Sequence, residues 1–178
     1  MGILSRLLHP TLSTDVLELL TAQHAEVDVL FEQIEKADGD RPALLMELAD
    51  LLGAHAAVEE QIFYPAVMTK TTHDLLHEAV EEHLEIKRVL ADLITMRLDD
   101  ASFKAKIAVL KENVTHHAHR EEEEKLFPLL RKAMSSDERA ALGNEVLVMF
   151  EELMPSHPGR NVPSETRAAA PLPSLSAR

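Results

Sequence analysis

The chain has 178 residues, of which 46% are hydrophobic and only 3% aromatic, and its formal net charge is −13. Because Leu, Ala, Val and Ile must supply most of the core, helices are favoured over sheets. The sequence contains no cysteine, which excludes disulfides, thiol catalysis and iron–sulfur clusters within these residues. An acidic surface repels nucleic acid and anionic membranes, so we expect neither as a partner.

Five helices are predicted in chain order, and short polar turns separate them. The first covers residues 14–37, and the second covers 42–67 with a proline in its first turn. The third covers 73–98 and the fourth 101–134. A shorter fifth helix covers 135–154, since Ser135 and Glu138 have the spacing of a capping box.

Because the predicted connections are short, successive helices should be antiparallel neighbours. The predicted fold is therefore an all-α, up-down-up-down four-helix bundle over residues 14–154, with the fifth helix outside it or across one end. Residues 1–13 form an N-terminal extension. Residues 155–178 are rich in Pro, Ala, Ser and Arg, and we predict that they are disordered. Without a signal-peptide pattern or an apolar span, the chain is expected to be soluble and cytoplasmic.

The four bundle helices repeat one plan in two hairpins. His24 in the first helix and His83 in the third occupy equivalent positions in apolar stripes. The second helix carries a histidine, two glutamates and an aromatic-proline pair within residues 55–65, and the fourth helix carries a matching set within 117–128. This repetition predicts that the two hairpins contribute equivalent side chains to one site.

His55 and Glu59 are four residues apart, so both project from one face of the second helix. That face is otherwise apolar, and an ionised carboxylate buried there destabilises the protein unless something compensates for its charge. A metal ion does so, because iron, manganese and zinc accept imidazole and carboxylate ligands. Antiparallel packing would bring His24 and His83 to the same level, as in the di-metal sites of bundle cores.

The fourth helix contains one extra residue relative to the second. The offset from His55 to His117 is 62 residues, whereas the offset from Glu59 to Glu122 is 63. In a regular helix a five-residue step separates two side chains by about 140°, but a π-bulge returns both to one face. The alternative register pairs His117 with Glu121 at a regular four-residue step. Glu122 is favoured because it keeps the downstream Leu-Phe-Pro in phase.

These motifs resemble the hemerythrin-like, histidine-histidine-glutamate cation-binding family over about residues 17–134. The resemblance rests on His24, on Glu82-His83, and on the paired segments 55–65 and 117–128. It implies a four-helix bundle around two non-haem iron ions, joined by an oxo or hydroxo bridge, that interact with dioxygen, nitric oxide or peroxide. The expected metal ligands are His24, His55, Glu59, His83, His117 and Glu122.

The expected function is to bind, sense or consume one of these small molecules, and the alternative is a metal buffer without redox turnover. Hemerythrin has two histidines four residues apart on its third helix, whereas Ala79 and Lys87 flank His83 at that distance here. This difference argues against reversible oxygen transport. Lys87 is expected to lie away from the metals. Tyr64 is interpreted as a packing residue, and the alternative is that its hydroxyl donates a hydrogen bond to an oxygen ligand of the metals.

Overall fold

The computed structural model of the protein describes residues 14–36 and 40–175, and within these ranges every regular element is helical. Helix α1 is Val16–Lys36. Helix α2 consists of Arg41–Val58, a π-helical turn at Glu59–Phe63 and a last turn at Tyr64–Val67. Helix α3 is His73–Thr95. Helix α4 consists of Phe103–Thr115, a π-helical segment at His116–Leu126 and Phe127–Ala133. Helix α5 is Ser136–Leu153.

Two of these helices begin at polar side chains that satisfy free backbone N–H groups. Asp40 precedes α2 and accepts a 3.3 Å hydrogen bond from the backbone N–H of Ala43. Ser135 precedes α5 and forms the predicted capping box, in which Ser135 and Glu138 each accept a hydrogen bond from the backbone N–H of the other. These caps fix the start of α2 and of α5.

Helices α1–α4 form the predicted bundle, and α5 packs against α1 and against α2, including the π-helical turn of α2. Gly143 of α5 lies so close to α1 that a Cβ atom there would be 1.6 Å from the carbonyl oxygen of Thr14. The Nε atom of Arg139 also contacts Asp15 Oδ2 at 2.6 Å. The helical fold predicted from the sequence is therefore confirmed. The predicted N-terminal extension lies outside the described residues.

The π-helical segment predicted in α4 is present, and it is longer than a single turn. A second π-helical turn in α2 was not predicted, because His55 and Glu59 have the regular four-residue spacing and the turn begins only at Glu59. Both segments lie where α2 and α4 carry their buried glutamates. The irregular backbone is thus confined to the level of the bundle that carries the polar side chains.

The C-terminal strap, which we define as residues 157–165, runs along α2 and α3. It includes the 3₁₀ helix Pro158–Glu165, and its Val162 side chain is only 1% exposed. The prediction of a disordered tail is wrong here, because one aliphatic side chain and a close backbone contact anchor the strap. Beyond it, Ala169, Ala170 and Leu172 pack against the core. Residues 176–178 lie outside the described residues.

No helix in the described part of the chain is both long enough and apolar enough to cross a membrane.

Candidate metal centre

The six side chains proposed as ligands come together in the interior of the bundle. They form two groups in which the potential ligand atoms lie within 4.8 Å of one another. The first group contains His24, His55, Glu59 and Glu122, and the second contains Glu59, His83 and His117. Glu59 belongs to both groups, so its carboxylate lies between the two histidine pairs.

The inward-facing nitrogen of each histidine is Nε2. His24 Nε2 lies 3.2 Å from His55 Nε2, and His83 Nε2 lies 2.9 Å from His117 Nε2. The Oε2 atom of Glu59 is 3.3 Å from His55 Nε2 and 3.2 Å from His83 Nε2. Four imidazole nitrogens therefore converge on one small polar space, although all four side chains are buried among apolar residues.

The π-helical segment of α4 determines which glutamate joins this cluster. Glu122 Oε2 lies 3.3 Å from His24 Nε2 and 3.9 Å from His117 Nε2. The neighbouring Glu121 points elsewhere, with both carboxylate oxygens 2.6 Å from Lys125 Nζ. The extra residue in α4 thus turns Glu122 inward, as its five-residue spacing from His117 suggested.

The outer nitrogen of each histidine, Nδ1, contacts a side-chain oxygen from a neighbouring helix. The pairs are His55 with Gln23 (2.7 Å), His83 with Glu60 (3.0 Å), His117 with Glu82 (2.8 Å) and His24 with Glu123 (2.7 Å). These contacts run in a closed cycle, from α1 to α2, α2 to α3, α3 to α4 and α4 back to α1. Because the oxygens accept, each Nδ1 donates, and the Nε2 lone pair of a neutral ring faces the cluster.

These four partners were not predicted from the sequence to have a role in the site. Each of them is adjacent in sequence to a proposed ligand. Neighbouring residues project about 100° apart around a helix, so a ligand that faces the cluster leaves its neighbour facing the next helix. This adjacency is the signal that could have identified the partners, and the residues that carry it are Gln23-His24, Glu59-Glu60, Glu82-His83 and Glu122-Glu123.

Tyr64 is fully buried and its hydroxyl group lies inside the cluster. It donates hydrogen bonds to Glu122 Oε1 at 3.0 Å and to Glu59 Oε2 at 3.3 Å. Its oxygen is also within 3.5 Å of the Nε2 atoms of His83 and His117. Tyr64 therefore combines packing with hydrogen-bond donation, since its ring packs in the core and its hydroxyl donates to the glutamates of the cluster.

Two carboxylate oxygens of the cluster lack a hydrogen-bond donor. Glu59 Oε1 and Glu122 Oε2 are buried without a partner, and Glu122 Oε2 has no hydrogen-bond geometry toward nearby His24. A buried anionic oxygen of this kind is destabilising unless a cation compensates for it. The nitrogen and oxygen donors of the cluster fit iron, manganese or zinc.

The pKa values express the same imbalance of charge. Burial and the neighbouring Glu122 raise the pKa of Glu59 well above its usual range. Burial opposes ionisation of Glu122 too, but His24 and two other histidines outweigh it and lower the pKa of Glu122 to about 2. Burial likewise opposes charge on His24, yet Glu122 and Glu123 raise its pKa to about 9. Without a metal ion, protons compensate for the clustered carboxylates.

Other ionisable residues of the bundle lie outside the cluster. The ammonium group of Lys87 donates hydrogen bonds to both carboxylate oxygens of Glu60, at 3.0 and 2.8 Å. His119 bridges Glu123 and Asp28, so the contacts of His24 continue toward the surface. The His73 and His77 rings contact each other at the start of α3, away from the cluster, with centroids 4.4 Å apart.

Comparison with known proteins gives a family match over most of the bundle. The family model of the hemerythrin HHE cation-binding domain matches residues 15–130. A curated relative, the DNA nickase of Nostoc sp. (strain PCC 7120), is 27% identical over 128 residues, which cover 70% of this chain and 36% of the relative. The chain therefore spans about a third of that relative's length. No solved structure matches the chain.

Proposed function

This chain belongs to the hemerythrin HHE cation-binding family, and we propose that it holds two non-haem iron ions joined by an oxo or hydroxo bridge. Glu59 would serve both ions. One ion would take His24, His55 and Glu122 in addition, and the other would take His83 and His117. The observation that carries this proposal is the pair of buried carboxylate oxygens, Glu59 Oε1 and Glu122 Oε2, that have no hydrogen-bond donor.

Bound iron would supply redox chemistry toward dioxygen, nitric oxide or peroxide. The protein side chains would position the ions and provide a proton donor beside them. Six side chains shared by two ions leave coordination positions for a small molecule. The carboxylate and amide partners of the histidines hold the rings in place and keep Nε2 free. The buried hydroxyl of Tyr64 holds a proton next to both glutamates.

We propose that the protein binds, senses or consumes one of these molecules, and that a metal buffer without redox turnover is the alternative. Reversible oxygen transport is disfavoured, because α3 supplies only His83 to the cluster and Lys87 pairs with Glu60 instead. The net charge of −13 supports the expectation that nucleic acid is not a partner. Placement in the cytoplasm remains part of the same proposal.

The test is iron analysis with an absorption spectrum of protein expressed in iron-supplemented medium. We expect about two iron atoms per chain, in line with dinuclear sites of helical bundles. Glu59→Gln keeps the shape of the side chain but removes its charge. Because Glu59 would bind both iron ions, this variant should contain fewer iron atoms per chain. Glu81→Gln, on the exposed face of α3, is the matched control and should retain them.

Addition of hydrogen peroxide then separates the two candidate functions. A redox-active centre should change its visible spectrum and consume the peroxide, whereas a buffer should do neither. Full iron content in Glu59→Gln would contradict the assignment of the shared ligand.

Incubation of the iron-loaded protein with supercoiled plasmid DNA tests the expectation that nucleic acid is not a partner. The plasmid should stay supercoiled.

A further inference from the structure

We infer that the C-terminal strap closes an apolar approach to the four-histidine cluster, and that Val162 limits the size of molecule that can pass. The inference rests on the proposed function, because a gate matters only if small molecules must reach the cluster. Within the described residues, the strap packs against α2 and α3 at the level just beyond the cluster. It therefore covers the side of the bundle from which a ligand could enter between these helices.

A small cavity lies beside the four histidines. Its volume is about 20 Å³, and the side chains of His24, His55, His83 and His117 form its polar end. A cavity of this size holds about one water molecule. Lys87, whose ammonium group is paired with Glu60, and Gly53 also line the cavity. The other lining residues are aliphatic, including Leu52 of α2 and Leu90 of α3, and Val162 of the strap completes the wall. Val162 is therefore the part of the wall that does not belong to the bundle.

The strap reaches this position because glycine permits close backbone contact. A Cβ atom on Gly159 would lie 2.6 Å from the carbonyl carbon of Ala49 and 2.8 Å from the nitrogen of Asp50. The N–H of Gly159 donates a 3.0 Å hydrogen bond to Asp50 Oδ1, and His157 Nδ1 lies 2.8 Å from Asp50 Oδ2. One carboxylate of α2 thus fixes the beginning of the strap.

The end of the strap is fixed to α3. Glu165 Oε2 lies 3.1 Å from Lys87 Nζ, and the carbonyl oxygen of Thr166 accepts a 3.2 Å hydrogen bond from Arg88. Lys87 also contacts Glu60, which is the partner of His83 Nδ1. Polar contacts therefore hold both ends, and Pro158 and Val162 are the buried apolar side chains of the strap. Such an attachment can open locally without unfolding the bundle.

The side chains that line the cavity indicate which class of molecule can reach the cluster. A neutral molecule such as dioxygen or nitric oxide crosses an aliphatic passage without losing strong hydration, whereas an ion does not. The Val162→Ala substitution removes side-chain volume from the wall and leaves the backbone contacts of the strap in place. It should widen the passage, whereas Gly159→Ala should displace the strap as a whole.

Thiol accessibility in metal-free protein tests the gate independently of iron. The chain has no cysteine, so Leu52→Cys places a single thiol in the cavity wall. Its rate of reaction with methyl methanethiosulfonate reports how often the passage opens. Val162→Ala and Gly159→Ala should each raise this rate roughly tenfold, which requires a barrier lower by only about 1.36 kcal/mol. Asn161→Ala, an exposed position of the strap, is the control and should leave the rate unchanged.

Nitric oxide binding to the reduced, iron-loaded protein is the second measurement. Val162→Ala should accelerate binding by a similar factor, with the iron content and the final spectrum unchanged. Equal thiol rates and equal nitric oxide rates in the parent and the Val162→Ala protein would overturn the inference. Should the protein bind no iron while the thiol rates still respond, the proposed function fails and the strap remains a gate to the cavity.

Discussion

The hydroxyl group of Tyr64 on α2 donates a 3.0 Å hydrogen bond to Glu122 Oε1 on α4. The two residues are 58 positions apart in sequence, and both are almost completely inaccessible to solvent. The same hydroxyl donates to Glu59 at 3.3 Å. Tyr64 is therefore the donor that links the two buried glutamates.

Replacing Tyr64 with phenylalanine should destabilise the metal-free protein while preserving the packing of the ring. Loss of the donor leaves buried carboxylate oxygens with one partner fewer, which costs about 1–3 kcal/mol in free energy of unfolding. Thermal unfolding followed by circular dichroism measures the effect. The control Thr95→Val removes an exposed hydroxyl and should change little. Loss of iron from the loaded Tyr64→Phe protein would instead indicate that the phenol is a metal ligand.

The two ligand groups should respond differently to single substitutions. Removing the imidazole in His117→Ala leaves the larger group of four ligands intact, so about one iron per chain should remain. His77→Ala, on the exposed side of α3, should retain both ions. Metal analysis of the purified variants measures the number of iron atoms per chain. Loss of both ions on His117→Ala would show that the two ions bind only as a unit.

The fold was predictable because the apolar residues recur with helical period and the turns are short. The inward position of Glu122 was predictable as well, since the one-residue insertion in α4 signals a π-helical segment. The strap was not predictable from composition. It is held by the backbone of Gly159 against Ala49 and by a single buried valine, and neither feature produces a hydrophobic pattern.

The partners of the histidine Nδ1 atoms were missed for a different reason. An acidic residue next to a ligand is usually one of many on a solvated face, and only the packing of four helices shows which face it joins. Glu60 and Glu82 illustrate the point, because each is adjacent in sequence to a ligand of its own helix yet contacts a histidine of the next.

Metal binding should release protons. In the metal-free protein at pH 7, His24 is protonated, since its pKa is raised to about 9, and the raised pKa of Glu59 favours its protonated form as well. Glu122, with a pKa lowered to about 2, is already ionised. A metal displaces protons from its ligands, so at least the proton of His24 should leave, and the raised pKa of Glu59 favours release of a further one.

Calorimetric titration with ferrous iron under anaerobic conditions measures this release. The apparent binding enthalpy should vary with the ionisation enthalpy of the buffer, and the slope gives the number of protons. The affinity should decrease as the pH falls below about 9, the pKa of His24, because protons compete increasingly for His24 and then for Glu59. A binding enthalpy that is the same in every buffer would show that the ligands are already deprotonated.

Deletion of residues 157–178 should lower the melting temperature, in contrast to what a disordered tail would allow. The deletion exposes the apolar surface that Val162 covers and leaves Asp50 without its two strap partners. Burial of a valine is worth about 1.5–3 kcal/mol, and each kcal/mol corresponds to about 2–4 °C for a domain of this size. A deletion that begins at Arg167 keeps the strap and serves as the control. Equal melting temperatures for the two deletions would show that the strap contributes nothing to stability. A lower melting temperature for the 157–178 deletion alone would assign the effect to the strap, with Val162 and the Asp50 contacts.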